Sequence, residues 1–495
     1  MADKDRNMRE EEDQSVLDGK PVSRRDFLKI AGAAGAAVGL AGGLGGLIAA
    51  CGEKETTTTA ATGATTTTAG PTTTAAQSST TSVSAGPEKG NEIRIGFVSP
   101  LTGAIASFGV PDKYCMERAQ EAIGEGVVCG DKKLHPVKII IKDSQSDTAR
   151  AAAVTGDLIQ NDKVHLIVTA STPDTVCPVA DQAEAMQTPC ISNDCPWQAY
   201  VATRAAGNLN ATFKWTYHTF WGLEDVIANF LDMWNQVPTN KKVGAMWSND
   251  ADGQAWRGGW TPVFEQAGLT AVVPSDFTVG TEDFSTQINM FKKEGCEIGV
   301  GMFVPPDFTT FWKQAVQQGW KPKVASFGKA LLFPQSLEAL GDIGSGLTTE
   351  VWWTPFHPFK SSLNGETCQQ FADEFTRRTG GQWTQPLLHF IVFEMAVDAL
   401  KRATNPEDKT AILEAIKTTK LETIGGLIDF TAPVDPPGPP WQTGPRHVHE
   451  NVYKTPQVGG QWRKGTKYPY ELVIVTDAAA KGVGIPVQDK VQPLA

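Results

Sequence analysis

The chain has 495 residues, 41% of them hydrophobic and 20% charged, and 55 acidic against 44 basic side chains leave a formal charge of -11. That balance, with no continuous Lys/Arg run, offers phosphate no surface, so nucleic acid is excluded as a partner. Roughly four hundred residues from Asn91 onward exceed one ordinary core and imply two lobes.

At the start of the chain, Ser23-Arg24-Arg25-Asp26-Phe27-Leu28-Lys29 leads into an Ala/Gly-rich apolar run from Ile30 to Ala50, which ends at Cys51. The pair Arg24-Arg25 resembles a twin-arginine export signal. The small residues before Cys51 resemble a lipobox, in which that thiol is acylated and becomes the mature N-terminus. The alternative is an uncleaved membrane span, but the run is rich in glycine and draws its hydrophobicity mostly from alanine, which favours a signal over residues 1–50. Either way the rest of the chain is expected outside the cytoplasm, held to the membrane by lipidated Cys51. Residues 51–90 are dominated by threonine and serine and lack core-forming side chains, so they are expected to form a disordered tether with an r.m.s. span of roughly 35 Å.

From Asn91 the pattern alternates. Strands are predicted at Ile93 to Val98, Val137 to Ile141, Val164 to Val168 and Cys190 to Ser192, with helices at Lys113 to Gly124, Thr148 to Gln160 and Thr175 to Met186. A second series follows Trp215: strands at Lys242 to Trp247, Leu269 to Val273 and Ile298 to Phe303, and helices at Glu224 to Trp234, Trp256 to Ala267, Phe284 to Glu294 and Phe308 to Gln318. Gly319 is expected to end the last of these in a left-handed conformation. Such alternation implies parallel strands and right-handed crossovers, so the fold class is α/β, with each lobe a mostly parallel sheet flanked by helices. Helices at Glu366 to Arg378, Leu387 to Ala403 and Lys409 to Thr418 must pack on existing sheets. Thr431 to Pro445 reads as an irregular, proline-rich loop.

With Cys51 reserved for lipid, seven cysteines remain. Cys115 with Cys129, or Cys177 with Cys190 or Cys195, are local candidates for disulfides in an oxidising compartment; buried free thiols are the alternative.

The segment Ile93-Arg94-Ile95-Gly96-Phe97-Val98-Ser99-Pro100-Leu101-Thr102-Gly103, then Phe108-Gly109, Lys142 to Asp147, Val243 to Gly253, and Phe311 to Ala315 with Gly319 to Pro322 resemble, in order and spacing, the branched-chain amino acid receptor family of type I periplasmic binding proteins. The resemblance implies a clamshell of two lobes joined by three crossings, near Tyr217, Trp352 and Gly425. Lobe 1 would then comprise 91–217 with 353–425, lobe 2 218–352 with 426–478, and 479–495 would form a C-terminal tail. It further implies a monomer that closes on a small-molecule ligand and delivers it to the permease subunits of an ABC importer.

Ligand-binding residues are expected on loops after the strands, where helix N-termini collect. In the first lobe these are Phe108, Ser171, Thr172 and Thr175, then Ser192, Asp194 and Trp197; plain N-capping is the alternative for the 171–175 loop. At the crossing and in the second lobe they are Trp221, Asp252, Val304 and Lys329. The family's acidic anchor for an amino group falls near Lys329, where the sequence shows no adjacent carboxylate. With Trp215, Trp221, Trp247 and Trp256 near the cleft, that gap points to an aromatic or apolar carboxylate, or an uncharged amide. No catalytic motif is present, His447 and His449 lack a third metal ligand, and neither cofactor nor metal is expected. A sensory receptor with the same clamshell is the second reading; an exported enzyme is the third.

Overall fold

In the computed structural model, residues 86–438, 443–444 and 446–494 are described; Arg24, Arg25, Cys51 and the tether as far as residue 85 lie outside them. Two seven-stranded sheets organise the chain. The first lobe contributes β1 (Ile93–Ser99), β2 (Val137–Asp143), β3 (Leu166–Ala170), β4 (Cys190–Asn193) and β5 (Thr216–Thr219). The second contributes β6 (Lys242–Trp247), β7 (Thr270–Val272), β8 (Ile298–Met302), β9 (Val324–Gly328) and β10 (Thr348–Val351). Near the C-terminus follow β11 (His447–His449), β12 (Val452–Tyr453), β13 (Val458–Lys464) and β14 (Tyr470–Thr476). Strand order is β11-β12-β5-β4-β3-β1-β2 in one sheet and β14-β13-β10-β9-β8-β6-β7 in the other.

The parallel core of each sheet reads as near-continuous apolar sequence because both faces are covered. Helices Asp112–Ile123 and Phe390–Arg402 pack on one face of the first sheet, and Thr148–Gln160 with Pro173–Ala185 on the other. Leu223–Asn235 with Ala251–Gln266, and Ser285–Glu294 with Pro305–Gln317, do the same for the second. Local chemistry sets the helix ends. Asp147 and Asp250 cap by accepting from the amides of Arg150 and Gly253, and Gly319, as expected, takes a positive φ of 78° after Gln318.

Trp234, Trp260, Trp312 and Trp320 serve the second lobe's core rather than the cleft. Trp234 stacks on Trp260 with ring centroids 5.0 Å apart, and Trp312 and Trp320 pack around Phe327 and Phe311. All seven described cysteines, from Cys115 to Cys368, are buried free thiols, so neither local disulfide forms. Among the described residues no helix is long and apolar enough to cross a membrane.

Three segments join the lobes. The first runs through Phe220 to Gly222, and the second through Trp352, whose amide donates to Gln385 Oε1 while Gln385 Nε2 donates to the Glu350 carbonyl. The third corrects the expected boundary. Residues 447–453 do not belong to the second lobe: β12 runs parallel to β5, Val452 opposite His218, so the last crossing falls between Tyr453 and Val458 instead of near Gly425. Gly426 has φ of 93° and closes a tight hairpin, Lys420–Thr423 with Gly426–Asp429, that stays on helix Phe390–Arg402. At the third crossing Lys454 Nζ lies 2.8 Å from Glu224 and 2.7 Å from Asp225, all three buried, which ties two crossings together. Residues 479–494 do not trail away. Ile485 and Val491 are buried on the second lobe, and the Leu494 amide donates to the Lys323 carbonyl.

Candidate ligand-binding cleft

Register brings the site together. In the second sheet Trp247 lies opposite Met302, and Met302 opposite Gly328, so Ser248 to Asp252, Phe303 to Val304 and Lys329 all emerge at one carboxyl edge. In the first, Thr169 opposite Ser192 and Asn193 opposite Thr219 align the segments beginning at Ser171, Asp194 and Phe220. The two edges face one another and are closed. Phe108 of the first lobe meets Phe333 of the second edge-to-face, centroids 4.9 Å apart, and helix Pro173–Ala185 touches helix Ala251–Gln266.

Lys329 sits at the centre of the second wall, 3% exposed, with its Nζ 3.0 Å from Asp250 Oδ2 and 2.9 Å from Asp252 Oδ2. It occupies a positive φ of 65°, and its amide donates to Glu350 Oε1 at 2.8 Å. The sequence expectation of no carboxylate beside Lys329 is therefore corrected: two are in contact with it, and the charge of Asp174 in the first lobe also acts on it. Burial would lower the Lys329 ammonium, but Asp250, Asp252 and Asp174 outweigh it and raise it. Burial lifts Asp252 to about 7 and also raises Asp174. Asp250 is held low despite its burial, by Lys329 and the Gly253 amide. Glu350 is pushed up to about 8 by burial.

The first wall carries a second charged group. His389, fully buried, has Nδ1 2.6 Å from Asp112 Oδ1 and Nε2 2.7 Å from Asp194 Oδ2, while Ser99 donates to the other Asp112 oxygen. Burial alone would keep this imidazole neutral; the two carboxylates raise it to about 9. The indole of Trp352 lies near parallel to its ring at 6.4 Å.

The expected residues separate into two groups. Ser171 and Thr172 are buried, and Thr172 stands at the N-cap of helix Pro173–Ala185 without bonding its amides. Among the described residues, Ser171 Oγ, Thr172 Oγ1, Asn193 Oδ1, Asp252 Oδ1 and the indole N–H groups of Trp221 and Trp247 have no hydrogen-bond partner. Phe108 and Val304 supply apolar wall. Other expected contacts are already occupied. Thr175 bonds the Thr172 carbonyl, Ser192 meets His218 Nδ1 at 2.9 Å, Asp194 holds His389, and Trp197 Nε1 donates to Glu224 at 3.2 Å. Sequence reasoning missed Asp250, Glu350, His389, Phe333 and Gln385, because their importance comes from pairings across long separations.

Gly253 protects the acidic turn. A Cβ there would lie 1.9 Å from the Ser248 carbonyl oxygen and 2.6 Å from Ser248 Oγ. Gly253→Ala is expected to cost about 1–3 kcal/mol, read by urea unfolding. Unchanged stability would show that the turn yields freely.

The family model described as periplasmic binding protein matches residues 92–441, and the chain belongs to that family. A model of the twin-arginine translocation signal matches residues 21–41, which marks the chain for export from the cytoplasm. Among solved structures, the chain is similar to a leucine-binding protein LivK from Thermotoga maritima, with 17% identity, TM-score 0.63 and coverage of 78% of this chain and 99% of that one. An ABC transporter substrate-binding protein from Sphaerobacter thermophilus is 20% identical, TM-score 0.62, covering 81% and 99%. A solute-binding protein of an ABC transporter from Rhodopseudomonas palustris, solved with 3,4-dihydroxybenzoic acid, is 17% identical, TM-score 0.61, covering 79% and 99%. The fold is thus that of the two-lobed type I periplasmic binding proteins. No curated protein matches the sequence.

Proposed function

We propose that the protein is an extracytoplasmic solute-binding lipoprotein of an ABC importer, tethered through Cys51, that closes its two lobes on a small molecule and presents the closed form to a permease. The observation that carries this reading is the set of buried, unpartnered polar groups on both walls: Ser171 and Thr172 from one lobe, Asp252 and the Trp247 indole from the other. Unsatisfied buried polar groups are costly. A solute that bonds both sets can do so only when the lobes are together, so its differential affinity drives closure.

The test is a thermal-shift and small-angle scattering screen against amino acids, amides, aromatic acids and amines. A true ligand raises the melting temperature by mass action and shrinks the radius of gyration. Indifference to every solute, combined with turnover of any of them, would contradict the reading.

A further inference from the structure

We infer that the cleft selects an organic cation bearing N–H groups, an amine or guanidine, held between Asp252 of one lobe and Asp174 of the other. This rests on the solute-binding reading and deepens it. Three carboxylates act on Lys329, Asp250 and Asp252 in contact with it and Asp174 through its charge, against one ammonium. Lys329 takes one oxygen each from Asp250 and Asp252, and Asp250 is further satisfied by Ser248 Oγ at 2.7 Å and the Gly253 amide at 2.8 Å. Asp252 Oδ1 is left over: it is buried, it has no partner among the described residues, and in its ionised form it can only accept. Asp174 forms no ion pair among the described residues and faces the Ala251 amide across the lobe boundary.

The opposite charge class fits poorly. A carboxylate ligand would have to draw Lys329 from two aspartates and then lie beside them, a like-charge juxtaposition in a buried site. His389 gives it no help, because both ring nitrogens are engaged by Asp112 and Asp194. A cation instead completes Asp252, balances Asp174, and can donate further to Asn193 Oδ1 and to the Ser171 and Thr172 hydroxyls.

Isothermal titration of the exported full chain with arginine, agmatine and putrescine, beside leucine and benzoate, tests the inference. At least one cation is expected to bind ten-fold or more tightly than leucine or benzoate. Asp252→Asn and Asp174→Asn should each weaken it at least ten-fold, with circular dichroism verifying that both variants fold. Asp252 is faced by Lys329, Asp250, Asp174, Glu350 and Cys195 and is half-protonated near pH 7, and Glu350 ionises over the same range, so cation affinity should rise from pH 6 to pH 8, whereas an anion's would fall. Tight binding of benzoate or leucine with no response to the cations overturns the cation class and leaves solute binding standing. Silence from every probe counts against both.

Discussion

Lys329→Met is expected to destabilise the chain by about 3–5 kcal/mol at pH 8, because it strands Asp250 and Asp252 in a buried wall with no counter-charge. Both carboxylates lie within 3.0 Å of the ammonium and are 12% or less exposed at the side chain. The loss should shrink on acidification. Asp252 already titrates near 7 with Lys329 in place, so without the lysine its carboxyl and that of Asp174 take protons more readily still, and the repulsion fades. Urea denaturation of wild type and variant at pH 5 and pH 8 reads the difference, and a gap that does not narrow at pH 5 would show that packing of the alkyl stem, not charge, explains the loss. A methionine side chain keeps most of that stem, which is why it is chosen over alanine.

His389 gives the second large effect, as a dependence on pH. Its folded value of about 9 stands above the ordinary 6.5 of an unfolded histidine. Its contribution is therefore fully present below pH 6.5 and is lost as the pH rises through 9. At most about 3 kcal/mol is involved, at 1.36 kcal/mol per unit of displacement. Glu350, raised from 4.5 to about 8, also lowers stability as the pH climbs between those values, so the wild-type slope alone is ambiguous. His389→Gln separates them. It should be less stable than wild type at pH 6.5, since Asp112 and Asp194 lose their shared cation, and the two curves should converge by pH 9.5. Parallel curves across that range would mean the imidazole is neutral in the folded chain.

Much of the architecture was legible in the sequence, because strand-helix alternation reports local hydrophobic period and needs no knowledge of partners. The first strand, the run of crossover helices and the left-handed turn at Gly319 are all of this kind. The late strands β9 to β14 were not read. Val458-Gly459-Gly460 has too little apolar period to announce β13, and β12 has two residues whose pairing with β5 is decided by tertiary contact. The site was legible as a set of loops and illegible as chemistry. Asp250 and Lys329 are 79 residues apart and meet only because parallel register puts β6, β8 and β9 side by side. Ser192 and Asp194 looked available along the chain, and His218 and His389 claim them in space. Tryptophan content pointed to an aromatic cleft, whereas Trp234, Trp260, Trp312 and Trp320 fill the interior of one lobe.

The seven buried sulfhydryls have a bearing on the route out of the cell. A twin-arginine signal is the kind carried by passengers translocated after folding, so the packed interior that encloses Cys115, Cys129, Cys177, Cys190, Cys195, Cys296 and Cys368 is expected to assemble in the reducing cytoplasm. Burial holds Cys115, Cys129, Cys190, Cys195, Cys296 and Cys368 above the ordinary thiol range, in the protonated form that reacts slowly with oxidants. A passenger threaded unfolded into an oxidising space would instead meet disulfide-forming catalysts with every sulfur bare, and scrambled cross-links would compete with its native packing.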